Sequence, residues 1–450
     1  MSDLLQIGKS GVLAYQGALA TIGENVTNAD TEGFARRQVV LKEQTAAAGP
    51  FTTYRTSSAF GGVQADNVQR VWDQYKAADA WTANSDSSYA STRSQYLTTV
   101  QDQLNDSDTG VGTQLTAVFT AASQLAANPT DTTLRQTMIA AVGDAASALG
   151  QTGANLAKVA TTVSTQATTL VSQTNDALTA LAKINLALHS SPQGSAGRAQ
   201  LEDQRDQLIG TRSGNLGVDV TLDTDGAVSL KLNDYAGPQL LSSTDSVPAY
   251  VTMQTASDGR LAMTLTAKGQ VSAATPTSGT LAGLVDSAAT IAGRRQQLDG
   301  LAGNFVTALN TWQGQGLDAS GNPGVPLLTG TDAASIALAT SDPNAIAAAS
   351  ADGTANGNLL AITQLRGSGG VEAGWRAMVT DQSLQVASAN TAATAASTQK
   401  DSAYTALDQV SGIDLDNEAA ELLRYQQAYT ASAKIIQTAK DTLQAVLNLF

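Results

Sequence analysis

The residue types that could support catalysis are few, and His189 is the one candidate for a histidine base. The chain has 450 residues with one histidine and no cysteine, so Ser-His-Asp and Cys-His arrangements would share this base. The segment HSSPQG around it lacks the G-x-S-x-G pattern of a nucleophile elbow. Zinc sites with Cys or several His ligands are excluded in practice. We interpret His189 as a solvated residue at the polar end of a helix.

Acidic clusters offer a second route to chemistry, through metal binding or acid–base work. The DTDG segment at 223–226 lacks the spacing of an EF-hand and is typical of a hairpin turn. Glu202, Asp203 and Asp206 lie beside Arg205 in a helical run, which indicates a solvated, salt-bridged face. The sequence therefore predicts no catalytic residue, no cofactor and no metal site.

The overall charge narrows the classes of partner. The net charge is -14 and the pI is about 4.4, which argues against nucleic acid as a partner. No window approaches the roughly 20 apolar residues of a membrane span, so we expect no membrane partner. The N-terminus lacks the basic start and apolar run of a cleavable signal peptide. Any export would therefore leave the chain uncut.

Apolar residues recur every seven positions at both ends of the chain. The first stripe is Leu5, Val12, Leu19 and Val26, joined by Gly8, Tyr15 and Ile22. The second is Leu415, Leu422, Tyr429, Ile436, Leu443 and Phe450, joined by Tyr425, Ala439 and Val446. Each stripe is narrow and suits a seam between helices, although either alone also fits an ordinary surface helix. Matching stripes at both ends favour pairing of the two chain ends.

A polar stretch, ENVTNADTEGFARR at 24–37, follows the first stripe. It predicts the end of the helix near Val26, a sharp bend and a chain that returns against a neighbour. Asparagine tolerates the left-handed conformation at a helix end, and glycine permits the bend. Five residues carry this interpretation: Asn25, Asn28, Thr31, Gly33 and Phe34.

The middle of the chain predicts mostly helix, including long runs at 66–107 and 131–189. Alternation around Asp225-Gly226 predicts a hairpin inside a β segment, and helix returns near 281 and from 371 to 448. We predict a mainly α, elongated, multi-domain protein with a terminal coiled coil, a discontinuous helical bundle and a small β domain. Their respective ranges are 1–65 with 401–450, 66–213 with 281–400, and 214–280. We expect the β domain to face outward and to be dispensable for assembly.

Both ends also resemble a known family. SGVLAYQGALATIGENVTNADTEGFARRQVVL is similar to the N-terminal signature of the bacterial flagellar axial proteins, and SGIDLDNEAAELLRYQQAYTASAKIIQTAKDTLQAVLNLF is similar to their C-terminal signature. Within this group, GGVQADNVQRVWD, LAANPTDTTLRQ, LEDQRDQLIGTRSGNLGVDV and QLDGLAGNFVTALNTW resemble the hook-associated protein 1 family. Gln313 stands where that family leads us to expect histidine, and the β segment is short for the family.

The resemblance implies a structural, non-enzymatic subunit of the junction between flagellar hook and filament. It implies self-assembly into a ring, contacts with the hook protein and a second junction protein, and an export chaperone at the C-terminal region. It also implies an extracellular location, reached by type III export without a cleaved signal. The expected subunit-interface residues are Leu5, Val12, Tyr15, Leu19, Ile22, Asn25, Val26, Asn28, Thr31, Gly33, Phe34, Leu415, Leu422, Tyr425, Tyr429, Ile436, Leu443 and Phe450.

Two alternatives stay open at this point. The chain could be another axial subunit, such as a hook or rod protein, although its helical middle argues against this. It could also be an axial protein with an inserted hydrolase domain, although one histidine cannot supply a H-E-x-x-H metalloprotease motif. We also expect residues 1–30 and 412–450 to be disordered in the free monomer, because the two seams alone bury too little apolar surface to order both chain ends.

Overall fold

The protein is mainly helical, as the sequence predicts. The computed structural model describes residues 2–31, 33–45 and 60–448, so Phe450 lies outside the described residues. Its α-helices are α1 (Ser2–Thr27), α2 (Gln74–Gln103), α3 (Val111–Ala127), α4 (Thr132–Ser190), α5 (Ala196–Ser213), α6 (Gly279–Gly314), α7 (Gly357–Ala361), α8 (Val371–Ser411) and α9 (Leu415–Leu447). Among the described residues, none of these helices has both the length and the apolar character needed to cross a bilayer.

The long helix α4 gives the molecule its elongated form. Its 59 residues correspond to about 90 Å at 1.5 Å per residue. Asp131 begins it by accepting hydrogen bonds from the backbone N–H groups of Thr133 and Leu134, which satisfies two donors left open at a helix start. One side of α4 buries Met138, Leu149 and other apolar residues in a core shared with α3 and α6. The predicted helix at 131–189 is confirmed.

A β-hairpin replaces the start of the predicted helix at 66–107. Strands β1 (Arg37–Thr45) and β2 (Phe60–Arg70) pair antiparallel, with Arg37 opposite Arg70 at the base. Helix α2 begins only after Asp73, whose carboxylate accepts from the N–H groups of Tyr75 and Lys76. The hairpin lies along α1, where the Val63 N–H donates to Ser10 Oγ at 3.2 Å. The prediction of helix at 66–73 is wrong because the Asp73 cap, not the apolar pattern, sets the helix start.

The β segment forms two three-stranded antiparallel sheets. The first contains β3 (Val218–Leu222), β4 (Val228–Leu232) and β5 (Gln239–Leu241), and the second contains β6 (Tyr250–Thr255), β7 (Leu261–Ala267) and β8 (Gln270–Ala274). The hairpin predicted around Asp225-Gly226 is confirmed, with Leu222 opposite Val228. Gly226 has φ +71°, a conformation that glycine adopts without strain.

These sheets pack on α4 as part of the main core. Their inward side chains, such as Val228 and Val251, belong to the same buried cluster as the inner face of α4. Two buried amides of α4 hold the strands: Asn185 exchanges two hydrogen bonds with the backbone of Val228, and Asn175 does the same with Val251. The expectation that the β segment is dispensable is therefore not supported, because its removal would uncover the apolar side of α4.

Asn185 allows a direct test of this shared core. Asn185→Ala leaves the buried N–H and C=O of Val228 without partners, and each unmet group costs about 1–3 kcal/mol. We expect the free energy of unfolding to fall by about 2–4 kcal/mol in a denaturant titration. Asn155→Ala, a half-buried amide on the same helix, is the matched control and should change stability little. An unchanged midpoint in Asn185→Ala would show that the sheets fold independently of α4.

The segment between α6 and α8 contains two short antiparallel pairs of strands. They are β9 (Gly316–Leu317) with β12 (Ala349–Ser350), and β10 (Leu328–Thr329) with β11 (Ala337–Leu338). Gln313, near the end of α6, is fully buried beside these strands. Its side chain accepts a hydrogen bond from the Ala347 N–H and donates one to the Ala345 carbonyl oxygen. Glutamine therefore fits at the position where the family resemblance predicts histidine.

The predicted C-terminal helix is divided in two. Gly412 is extended, and Asp414 begins α9 by capping the N–H groups of Asp416 and Asn417. Since α8 runs without interruption through residue 401, we now propose Gly412 as the boundary between the helical body and the terminal region. The N-terminal boundary at 65 falls inside β2, so we place the whole hairpin with the terminal region.

Candidate functional site at the paired chain ends

Helices α1 and α9 bring the two ends of the chain together as an antiparallel pair. Gly8 lies against Ile436 near one end, and Asn25 bonds Glu418 at the other. A Cβ atom added to Gly8 would stand 2.6 Å from Ile436 Cγ1, and one added to Gly11 would stand 2.5 Å from Ser432 Oγ. The helices approach this closely only because these positions carry no side chain.

The seam on α1 is built mainly from small residues, and of the predicted stripe only Gly8 and Ile22 are fully buried in it. Its buried positions are Gly8, Gly11, Ala14, Ala18, Thr21, Ile22 and Asn25. Leu5 is 43% exposed and Val26 is 42% exposed, while Val12, Tyr15 and Leu19 are half-buried. As an account of the intramolecular seam, the first stripe is wrong at Leu5 and Val26. The pattern favoured large apolar residues, whereas close packing selects small ones.

The second stripe is confirmed in part as an intramolecular seam. Leu422, Tyr425 and Ile436 are half-buried, and the rings of Tyr15 and Tyr425 lie 6.1 Å apart. The fully buried positions of α9 are Ala439, which belongs to the predicted stripe, and Glu418 and Ser432, which do not. The predicted positions that the fold leaves exposed are Leu415, Tyr429, Leu443 and Val446.

The terminal pair thus leaves large apolar side chains uncovered. We call this set the exposed apolar face; in the described residues it comprises Leu4, Leu5, Leu13, Val26, Leu415, Leu423, Tyr429, Ile435, Leu443, Val446 and Leu447. A soluble monomer seldom exposes so many large apolar side chains on one pair of helices, and such surfaces commonly mark interaction sites. Whether each predicted interface residue contacts another subunit stays a prediction.

A buried polar joint connects the terminal pair to the hairpin. Asn25 Nδ2 donates to the Arg37 carbonyl oxygen at 2.9 Å and to Glu418 Oε2 at 3.0 Å, and the Arg37 N–H donates back to Asn25 Oδ1. Glu418 also pairs with Arg36 Nε at 2.6 Å. Glu418 and Asn25 are each only 1% exposed. A charge buried this deeply requires its partners, so the joint holds α1, β1 and α9 in one arrangement.

The joint continues into the helical body through arginine–carboxylate pairs. Arg37 contacts Asp203 at 2.6 Å, and Arg70 contacts Asp203 at 2.8 Å and Asp206 at 2.7 Å. Arg205 pairs with Asp206 at 2.7 Å. The predicted salt bridges on α5 are therefore present, but the face is not solvated, because the hairpin covers it. Asp206 is 7% exposed and Arg205 is 2% exposed.

Burial and charge oppose each other inside this network. Burial alone would lower the pKa of Arg70, but Asp206, Asp203 and Glu202 raise it overall, so Arg70 stays cationic. Burial raises the pKa of Asp203, although Arg70 and Arg37 act against that shift. The network is thus a structural connection among charged groups that depend on one another.

The sequence did not identify the polar joint. Arg36 and Arg37 were noted only as the end of a polar stretch, and Glu418 resembles an ordinary solvated residue in the first turn of a helix. No local signal pairs these arginines with Glu418, which lies 382 residues away from Arg36.

The stretch after α1 turns the chain by means other than left-handed asparagines. The Asn28 side chain donates to the Glu24 carbonyl oxygen at 2.9 Å, and Thr31 Oγ1 contacts Asn28 Oδ1 at 3.3 Å. Gly33 has φ +79°, which confirms the predicted bend. The Phe34 ring lies beneath the Arg37 guanidinium at 4.7 Å. Neither Asn25 nor Asn28 adopts the left-handed conformation that asparagine tolerates at a helix end, and Asn25 remains helical and bonds the joint.

His189 connects α4 to the β sheets. Its Nδ1 lies 3.2 Å from Asp225 Oδ2 and its Nε2 lies 3.1 Å from the Ser243 carbonyl oxygen. Hydrogen bonds to Ser243 and Asp225 raise the pKa of His189, with a further contribution from the charge of Asp223. The prediction that His189 is exposed to solvent is confirmed. Its side chain also makes these two contacts.

This geometry gives the stability of the protein a pH dependence. A raised folded-state pKa means that the contribution of His189 is complete below the unfolded value of 6.5 and is lost as pH rises through the folded value. We expect the wild type to have a higher Tm than His189→Gln in mildly acidic buffer, with the difference shrinking toward pH 8. Asp225→Asn should weaken the same dependence. A Tm difference that does not vary with pH would contradict this assignment.

The described ranges contain no group of three or more His, Asp or Glu side chains placed to hold a metal ion. What the site offers is contact surface: a tightly packed helix pair with an exposed apolar face, fixed to a long helical body by the polar joint. This combination defines a class of protein, an elongated helical protein whose joined chain ends carry an exposed apolar surface.

Comparisons with known proteins identify the class more closely. Residues 97–328 match the model of the flagellar hook-associated protein FlgK helical domain, and residues 408–449 match that of the flagellar basal body rod FlgEFG protein C-terminal region. Flagellar hook-associated protein 1 of Bacillus subtilis is 25% identical, with 99% of this chain and 97% of the relative covered. The Salmonella typhimurium protein of that name is also 25% identical, but the match spans 72% of this chain and 59% of the relative.

A solved structure shares the fold. The flagellar hook junction protein FlgK from Burkholderia pseudomallei superimposes with a TM-score of 0.66 at 16% identity, covering 74% of this chain and all of that one. Because the helical-domain match alone covers more than half of the 450 residues, the chain belongs to the flagellar hook-associated protein FlgK family. It is a structural component of the bacterial flagellum.

Proposed function

We propose that this chain, a structural protein of the hook–filament junction, assembles there as a ring of identical copies joined through its paired ends. The observation that carries the proposal is the exposed apolar face. A fully buried leucine gains about 1.5–3 kcal/mol over an exposed one, so covering a half-exposed one gains about 1 kcal/mol. Several such residues contacted at once by neighbouring copies would offset part of the entropy cost of association.

The polar joint supports the same proposal by fixing the direction of the pair. In a ring, every copy must present its contact surface at the same angle to its neighbours. Glu418 and Asn25 cannot leave the joint without stranding a buried charge or amide. The joint therefore holds the terminal pair at a set angle to the helical body, so that identical contacts can repeat around the ring.

The partners we propose are the flagellar hook protein on one side and the second junction protein on the other. The exposed C-terminal helix α9 would be covered by a chaperone before export, and export would follow the type III pathway without removal of a leader. The role is non-enzymatic and extracellular. A hook or rod subunit is the second candidate, supported by the match of residues 408–449 to the rod-protein model. The longer match to the hook-associated helical domain favours the junction.

The paired ends should be only partly ordered before assembly. The distal half of the pair exposes most of the apolar face, whereas the joint anchors residues near Asn25 and Glu418. In hydrogen exchange on the purified monomer, we expect amides at 4–16 and 430–447 to exchange first, those around the joint later, and those of α4 last. The sequence predicts disorder across the whole of 1–30 and 412–450, whereas we now expect weak protection only in the distal parts of these ranges. Strong protection of both distal halves in a protein shown to be monomeric would contradict it.

The junction role is tested by deleting the gene in the source organism. We expect intact hooks, no attached filaments, filament protein in the medium and loss of motility, all restored by the full-length chain. Filaments of normal length in the deletion strain would overturn the junction role. Loss of the hooks themselves would favour the hook or rod alternative.

A further inference from the structure

A cleft lies where the terminal pair meets the helical body. It has a volume of about 700 Å³, and its lining includes the loop after α1 and the end of α8. Phe34, Trp72 and Trp81 line it with aromatic surface, and the rings of Trp72 and Trp81 lie 6.4 Å apart. We call this the joint cleft.

Two carboxylates, those of Asp30 and Asp408, give the joint cleft a negative charge. Arg70, Asp206 and Asp414 also line it, but Arg70 and Asp206 pair with each other and Asp414 caps α9. Asp30 and Asp408 remain exposed. Apolar walls together with exposed carboxylates suit a cationic side chain that carries apolar neighbours.

The distal part of α1 presents that combination. Leu5 and Leu13 are 43% and 58% exposed, and Lys9 between them is exposed as well. Residues four apart lie on one helix face, so the three side chains form a single row. We call it the Leu-Lys-Leu row.

The row cannot reach the joint cleft of its own chain. Lys9 and the end of α1 at Thr27 are separated by about 27 Å of straight helix. We propose that the Leu-Lys-Leu row of one copy docks into the joint cleft of a second copy, with Lys9 between Asp30 and Asp408. The inference rests on the proposed self-assembly and adds the residues of one contact between neighbouring copies and the offset between them.

Charge supports a second copy as the occupant. Two chains of net charge -14 repel each other at long range, but at physiological salt charges are screened beyond about 8 Å. A local cation-to-carboxylate contact can then select one mutual position, and apolar burial by the leucines stabilises it. Since Lys9 lies about 27 Å from the end of α1 at Thr27, such a contact would place the helix pairs of neighbouring copies side by side, offset by about that distance along their length.

The absence of cysteine from the sequence makes cross-linking a clean test. Lys9→Cys and Asp408→Cys would be combined in one chain, expressed in the deletion strain and treated with a short bismaleimide on isolated hook–filament structures. We expect cross-linked dimers and larger species with the double variant, and neither with the single variants. Lys9→Cys with Asp401→Cys is the matched control, because Asp401 is an exposed acid two turns earlier on α8, and it should yield far less product.

The outcomes separate this inference from the proposed function. The variant protein present at the junction without cross-linked dimers would overturn the docking and leave the junction role standing. Wild-type protein missing from the junction would overturn both. As a second measurement, Lys9→Glu should reduce motility and adding Asp408→Lys should restore it. Equal motility of the Lys9→Glu variant with and without Asp408→Lys would also overturn the docking.

Discussion

Replacing Glu418 by alanine is expected to open the polar joint at a cost of about 3 kcal/mol. The side chain is 1% exposed, accepts from Asn25 and pairs with Arg36. Its removal leaves a half-buried guanidinium and a buried amide with unmet hydrogen bonds. In hydrogen exchange, we expect protection of amides around Asn25 to fall by about a hundredfold, the factor that this free energy represents. Glu418→Gln keeps the volume and one acceptor and should recover part of the loss.

Glu421→Ala is the matched control for this variant. It removes the same charge from the same helix one turn later, but the partner of Glu421 is Arg424, which is 62% exposed. Surface pairs of this kind contribute about 0–1 kcal/mol. Equal effects of the two substitutions would mean that burial of Glu418 does not hold the joint, and that the pair is attached to the body by packing alone.

Ile436→Asp is expected to prevent incorporation of the protein into the junction. Ile436 is half-buried against Gly8, so the variant places a carboxylate in the seam, at a cost of about 2–4 kcal/mol. The long helical body does not depend on this contact, so the protein should be exported at normal levels. We expect intact hooks, secreted variant protein and no filaments in electron micrographs of cells that carry only this variant.

Thr438→Asp provides the control for the charge itself. Thr438 is exposed and lies two residues further along α9, on the side of the helix away from α1. Cells that carry it should build normal filaments. Normal filaments with Ile436→Asp as well would show that the α1–α9 seam is not needed for assembly.

The sequence predicted the helices that a strong local pattern defines. The low-charge run that became α4 and the alternation around Asp225-Gly226 needed no knowledge of distant residues, because period and turn chemistry are local. The pairing of the chain ends was also visible, in two stripes with the same spacing. Their register was not, because a stripe reports where apolar residues lie and not which face another helix covers.

The polar joint and the β hairpin show why the rest could not be predicted. Glu418 and Arg36 are 382 residues apart, and nothing local distinguishes a buried carboxylate in a first helical turn from a solvated one. Strand β2 of the hairpin ends at Arg70, although the sequence predicts a helix from residue 66 onward. Pairing with β1 and contact with α1 hold that segment extended, for example the bond from the Val63 N–H to Ser10. Tertiary partners decided both cases.

Cryo-electron microscopy of the hook–filament junction tests the central claim most directly. The account predicts that the α1–α9 pairs of successive copies lie side by side, with Leu13, Leu423 and Ile435 covered by neighbouring chains and the Asn25–Glu418 joint intact in every copy. A junction in which the terminal pairs stand apart, with these leucines and the isoleucine facing water, would contradict it.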